Sequence, residues 1–267
     1  LRTGDNVVSI LTEACGHCDR CKAGREHRCR NGKGIGHGRQ GGFAEYIVLT
    51  EQSLVKLPDG LDSVSSALLA CPLGVALQAV KVTAKVNPGD TVVVTGAGGG
   101  LGSHAVQAAA ALGANVLAVT SSPEKERTLL SLGASEVLSE SEIDFADLVM
   151  ALTEDKGADA VIDAVGSSLY PSTLRSLAQY GRLVFLGEIT GKNISLNPVE
   201  VIFRDATILG TSGVSKDIIK QAASMVLNGM IRPVLDFELP LEEASDGYRL
   251  ITERKPTGRI VLRPNGR

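Results

Sequence analysis

Thr91-Val92-Val93-Val94-Thr95-Gly96-Ala97-Gly98-Gly99-Gly100-Leu101-Gly102 is the stretch on which the reading of this 267-residue chain turns. The β-branched run Thr91–Thr95 predicts a buried strand, and residues 103–112, ended by Gly113, predict a helix directly after the glycines. Glycines permit a tight turn and let backbone N–H groups approach a pyrophosphate, while the helix start adds a partial positive charge. A lone G-x-G-x-x-G is a weak signal, but here a strand precedes it and a helix follows. Gly96, Gly99, Gly100, Leu101 and Gly102 are therefore candidate dinucleotide contacts. A tight turn without a ligand is the competing reading.

Downstream the pattern repeats. Strand-like runs at 115–119, 136–138, 160–163, 182–186 and Thr207–Gly210 alternate with helical runs at 123–132, 145–153 and 172–179. Such alternation implies right-handed crossovers and a parallel, doubly wound sheet. Upstream, residues 1–60 are rich in glycine and turn residues, with strand-like runs at 6–11 and 44–49. A helix at 64–70, capped by Asp62 or Ser63, is expected to stop at Cys71-Pro72, and a second helix spans 75–82. A helix at 217–227 and a strand at 258–262 close the chain, and residues 233–267 are expected to return to the first domain. The expected boundaries are 1–72, 73–212 and 213–267.

The end of the second strand bears on which dinucleotide binds. An acidic residue there would hydrogen-bond the ribose 2′-hydroxyl and favour NAD. This chain has Thr120-Ser121-Ser122-Pro123-Glu124-Lys125, with Arg127 close by. Ser121, Ser122 and Lys125 suit a 2′-phosphate, so NADP(H) is expected in preference to NAD(H). Glu124 leaves NAD(H) open.

A second motif lies near the start. Cys15, Cys18, Cys21 and Cys29 follow C-x2-C-x2-C-x7-C, the spacing of one loop wrapped around a Zn²⁺ ion. Four thiolates fill a tetrahedral shell, so the site is structural rather than catalytic. Arg20, Lys22, Arg25, Arg28 and Arg30 outnumber Asp19 and Glu26 on its flanks, which suits a tetrathiolate centre of negative charge. Two disulfides or four unrelated thiols are the alternatives, disfavoured because chance rarely yields this spacing and no secretory leader is visible. Five cysteines, four assigned to metal, indicate a reducing cytoplasm. The net charge of −3 gives no basic face for nucleic acid or anionic lipid, and no apolar run is long enough for a membrane span.

Together these features resemble the medium-chain dehydrogenase/reductases of the zinc-containing alcohol dehydrogenase type. The resemblance rests on the cysteine loop, Gly41-Gly42-Phe43-Ala44-Glu45-Tyr46, Val55-Lys56-Leu57-Pro58 and Pro88-Gly89-Asp90-Thr91-Val92-Val93-Val94. The glycine turn, Ala160-Val161-Ile162-Asp163, Gly181-Arg182-Leu183-Val184 and Gly258-Arg259-Ile260-Val261-Leu262 complete it. It covers essentially the whole chain. Read from Ala97 as A-x-G-G-x-G, the turn is similar to that of quinone-oxidoreductase and enoyl-reductase branches, many of which use NADPH.

The resemblance implies a Rossmann domain within a GroES-like catalytic domain, here partial and carrying the zinc lobe. It also implies hydride transfer to a small-molecule substrate and a homodimer or homotetramer built partly on edge strand Thr207–Gly210. In the family an N-terminal segment carries a catalytic-zinc cysteine and Gly-His-Glu, neither of which is found here, so a fragment is expected. Cys71, in Ala70-Cys71-Pro72-Leu73-Gly74, resembles the family's last catalytic-zinc ligand, and a packed structural cysteine is the equal alternative. Gly187 resembles a cofactor-loop position, and Asp163 either lies near the cofactor or caps its loop. The leading function is hydride transfer between NADP(H) and an alcohol or carbonyl, with catalysis in the cleft near Cys71. The alternatives are a zinc-independent NADPH-dependent reductase of activated C=C bonds and a non-catalytic NADP(H)-binding module.

Overall fold

The computed structural model describes residues 1–139 and 144–264. The chain divides into two compact units, Leu1–Val75 with Gly213–Arg267, and Ala76–Ser212.

In the first unit, β1 (Val7–Ser9) pairs antiparallel with β4 (Leu54–Lys56), and β2 (Thr12–Glu13) pairs antiparallel with β3 (Lys33–Gly34). The cysteine loop is the excursion between β2 and β3. Ser53 is fully buried and ties these pieces together: its hydroxyl accepts from Ala14 N at 3.0 Å, and its carbonyl accepts from Ile10 N at 2.9 Å. Asp62 caps helix Ser63–Ala67 by accepting from Ser65 N at 2.8 Å. A wider helical segment, Leu69–Gly74, follows, broken by an extended Cys71 (φ −135°, ψ 121°). The chain returns through helix Lys216–Leu227, capped by Ser215, which packs on Leu69–Gly74.

In the second unit, β5 (Thr91–Thr95), β6 (Asn115–Thr120), β7 (Glu136–Ser139), β8 (Ala158–Asp163), β9 (Leu177–Phe185) and β10 (Thr207–Gly210) form one sheet. Every pair is parallel, in the order β10-β9-β8-β5-β6-β7. Strand order reverses at β5, and in open α/β sheets the ligand crevice lies at such a point, outside the carboxyl ends of the strands. Val92, Val93 and Val94 are fully buried because β5 is covered on both faces. One face packs Leu117, Val161, Leu174 and Leu183 against Phe145 and Val149 of helix Phe145–Leu152. Each such side chain contributes roughly 1.5–3 kcal/mol on burial.

The first unit closes with β11 (Leu235–Pro240) and β12 (Arg259–Arg263), parallel neighbours with helix Ala244–Thr252 between them in sequence. Among the described residues no helix is long and apolar enough to cross a membrane.

Several elements differ from the sequence expectations. Residues 44–49 form no strand, because they find no ladder partner among the described residues; Tyr46 and Val48 are over four-fifths exposed. The helix expected at 172–179 is shorter, Tyr170–Arg175, since Leu177 already pairs with Ala158 and starts β9. A register shift between Ala158 and Ala160, with Tyr180 at φ 63°, accommodates that early start. β11 was not expected at all.

Candidate dinucleotide site and metal centre

The glycine turn joins the carboxyl end of central strand β5 to helix Gly100–Ala111. Gly96 adopts a left-handed φ of 60°, which turns the chain out of the strand. Gly102 allows the helix to sit directly on that turn. A Cβ there would fall on the Gly96 carbonyl oxygen, 2.6 Å from the carbonyl carbon and 2.7 Å from Ala97 Cα. Gly99 begins the helix without any side-chain cap. The amides of Gly100, Leu101 and Gly102 therefore lack intrahelical acceptors and point out of the helix start, as an anion requires. His104 Nδ1 lies 2.7 Å from Gly100 O, pinning the first turn from the buried side. This backbone cradle, which a side chain at Gly102 would fill, fits a dinucleotide pyrophosphate.

At the end of β6, Thr120 is buried and its hydroxyl accepts from Ser122 N at 3.1 Å. Ser121 is exposed and Ser122 half-buried. Lys125 is not out in solvent: only 7% exposed, it folds back so that its ammonium donates to Gly98 O at 3.5 Å. Glu124 and Arg127, the other candidates on this stretch, are exposed. Thus the structure brings Ser121, Ser122 and Lys125 to the strand end next to the glycine turn.

Two carboxylates that the sequence leaves without a definite role order the loops after β8 and β9. Asp163 is fully buried, and its Oδ1 accepts from Thr95 Oγ1 at 2.6 Å and from Val165 N and Gly166 N at 2.9 Å each. It therefore caps its own loop and ties β8 to β5. Burial pushes its carboxyl above the ordinary range, against those hydrogen bonds. Glu188 accepts from Ser167 N, Thr190 N, Gly191 N and Ser167 Oγ, all at 2.8 Å. Backbone N–H groups, Ser167 first, hold its carboxyl down to about 2. Gly187 packs in the same seam: a Cβ there would stand 2.5 Å from Ala164 O. The close approach that Gly187 serves in this structure is loop against loop. Glu188 belongs to no motif read from the sequence; proximity in the sheet, not spacing in the chain, brings it to the loop that follows Asp163.

In the first unit, the ligand atoms of Cys15, Cys18, Cys21 and Cys29 all lie within 4.8 Å of one another. Tetrahedral zinc with bonds of about 2.3 Å would space its sulfurs by about 3.8 Å, and Cys18 Sγ and Cys29 Sγ are 3.9 Å apart. Cys29 Sγ accepts from Cys15 N at 3.3 Å, and Cys18 Sγ accepts from Cys21 N at 3.5 Å. The N–H groups of His17 and Cys18 bring the Cys15 thiol down to about 6, and those of Arg30 and Cys21 lower Cys18. Burial pushes Cys21 up to about 12, so a metal entering the site must displace its proton. Geometry and donor set fit Zn²⁺. The flanking cations contribute less than their number suggests, because Arg30 is engaged with Asp19 at 2.6 Å.

Cys71 stands apart from these thiols. Burial raises its pKa, and the neighbouring Arg259 opposes that rise. Arg259 donates to Cys71 Sγ at 3.6 Å, while its Nε is buried without a partner. Among the described residues the four-cysteine group is the only cluster of three or more His, Cys, Asp or Glu side chains with metal-ligand spacing, and Cys71 is outside it.

Residues 1–59 match the alcohol dehydrogenase GroES-like domain, and residues 100–228 match the zinc-binding dehydrogenase family. An acryloyl-coenzyme A reductase of Sulfurisphaera tokodaii is 30% identical over 262 residues, covering 98% of this chain and 77% of the relative. The crystal structure of an NAD-dependent alcohol dehydrogenase superposes with a TM-score of 0.90 at 35% identity, over 98% of this chain and 77% of that one. A zinc-binding dehydrogenase from Sinorhizobium meliloti 1021 bound to NADP gives 0.83 at 29% identity, with 98% and 77% covered.

Proposed function

This chain belongs to the zinc-type medium-chain dehydrogenase/reductase family, and from that premise we propose that it transfers hydride between NADP(H) and a small alcohol or carbonyl compound. The observation that carries the cofactor choice is Lys125, whose ammonium lies against the glycine turn at the end of β6. A carboxylate in that place would favour NAD; hydroxyls and an ammonium favour a 2′-phosphate. The NADP-bound relative supports this, and the NAD-dependent one makes the preference worth measuring.

The bound nicotinamide supplies the hydride. The residues of this chain do the rest. Gly96 and Gly99 shape the turn, Gly100, Leu101 and Gly102 offer backbone N–H groups to the pyrophosphate, and Ser121, Ser122 and Lys125 take the 2′-phosphate. Asp163 holds the loop after β8, and Glu188 ties the loops after β8 and β9 together. Gly187 allows those loops to close on each other. The four thiolates would hold a structural zinc and stiffen the loop between β2 and β3. Four of the five cysteines committed to zinc support a reducing, cytoplasmic compartment. Edge strand β10 supports a homodimer or homotetramer.

Reduction of an activated C=C bond is the second reading. The contact between Arg259 and Cys71 favours it, because a guanidinium beside the thiol opposes a further cation there. The named acryloyl-coenzyme A reductase supports it as well. Zinc per chain, measured by elemental mass spectrometry on the purified protein alongside NADPH turnover, separates the two. Two zincs and aldehyde reduction support the first reading and a ligand role for Cys71. One zinc and enoyl-thioester reduction support the second. No NADPH-dependent turnover of either substrate overturns both.

A further inference from the structure

Gly98 is the one glycine of the turn that the pyrophosphate cradle does not explain. Its φ lies outside the left-handed region, so the backbone alone does not demand glycine. Space does. A Cβ at Gly98 would stand 2.7 Å from Lys125 Cδ, 3.1 Å from Thr120 Oγ1 and 3.7 Å from Lys125 Nζ. The missing side chain leaves a slot, and the stem of Lys125 fills it. Thr120, at the carboxyl end of β6, forms the other wall.

We propose that Gly98 is a specificity-determining residue for the dinucleotide: having no side chain, it lets Lys125 lie across the turn and present its ammonium to the adenosine 2′-phosphate. The inference rests on the NADP(H) reading above and extends it to a residue that makes no contact with the cofactor. The slot is bounded by the far end of a flexible side chain and by a hydroxyl. Gly98→Ala therefore displaces Lys125 while leaving the strand and helix backbone in place.

Calorimetric titration of the purified protein with NADPH and with NADH tests this, using Gly98→Ala and Lys125→Met, which keeps the stem and removes the charge. Each variant is expected to lose on the order of tenfold in NADPH affinity, the size of one charge-assisted contact, and at most about twofold in NADH affinity. Thermal unfolding of Gly98→Ala should stay close to that of the unsubstituted protein. Unchanged NADPH affinity in Gly98→Ala overturns the inference, as does equal weakening of both cofactors. If Gly98→Ala does not fold, an unchanged NADPH-to-NADH ratio in Lys125→Met overturns it. An unsubstituted protein without NADPH preference overturns the NADP(H) reading first, and that failure is visible before any variant is made.

Discussion

Replacing Gly102 with alanine is the sharpest perturbation of the glycine turn. The atoms nearest the added Cβ are all backbone: the Gly96 carbonyl, 2.6 Å away at its carbon, and Ala97 Cα at 2.7 Å. No rotamer relieves such contacts, so the start of helix Gly100–Ala111 must move off the end of β5. Alanine gains about 1 kcal/mol over glycine in helix propensity. Overpacking in a close-packed interior typically costs about 1–3 kcal/mol and exceeds that when rigid backbone is the obstacle. The net expectation is a loss of about 1–2 kcal/mol, which lowers the unfolding midpoint by roughly 2–8 °C in a chain of this size. The same movement turns the amides of Gly100, Leu101 and Gly102 away from the pyrophosphate, so NADPH and NADH affinity should fall together. Urea unfolding and calorimetric titration read the two effects. A Gly102→Ala protein as stable as its parent, with unchanged affinity for both cofactors, would refute the close strand–helix approach on which the cradle depends.

Backbone N–H groups, Ser167 first, hold the Glu188 carboxyl down to about 2, against an ordinary 4.5. A lowered carboxyl stabilises the fold above its unfolded value, and that stability drains away as pH falls from 4.5 towards 2. Between those pH values Glu188→Gln should therefore lose stability less steeply than the parent, as denaturant midpoints would show; parallel slopes would contradict it. Asp163→Ala strands the Thr95 hydroxyl and the amides of Val165 and Gly166, each at about 1–3 kcal/mol. A loss of at least about 3 kcal/mol is expected in chemical unfolding. Cys29→Ser removes the sulfur that accepts from Cys15 N, and elemental analysis should find the four-thiolate zinc lost, with an earlier first unfolding transition. Sedimentation should give a dimer or tetramer, and a monomer would remove the oligomer expectation.

Much of this molecule could be read from its residues because its signals are local. The β-branched run Thr91–Thr95 is a strand end to end, since a buried parallel strand needs only a short apolar stretch. Asp62 caps its helix as a side-chain acceptor in that position does. The cysteines cluster because short spacers leave the loop little choice. What escaped reading depends on partners distant in sequence. β11 exists because Leu235 and its neighbours meet Arg259–Arg263, and residues 44–49 have strand composition without a strand to pair with among the described residues. Lys125 reads from the sequence as a 2′-phosphate contact, but its burial in a slot left by Gly98 is not legible there. The bridge from Glu188 to Ser167 appears only when β8 and β9 lie side by side.

The central claim is hydride transfer from NADPH to a polarised small molecule. Incubating the purified protein with NADPH deuterated at nicotinamide C4, together with a short aldehyde or with acryloyl-coenzyme A, and weighing the product by mass spectrometry tests it most directly. Deuterium carried on product carbon, from one face of C4 only and faster with NADPH than with NADH, is the predicted result. Product without deuterium, or no product from either substrate, would contradict the account.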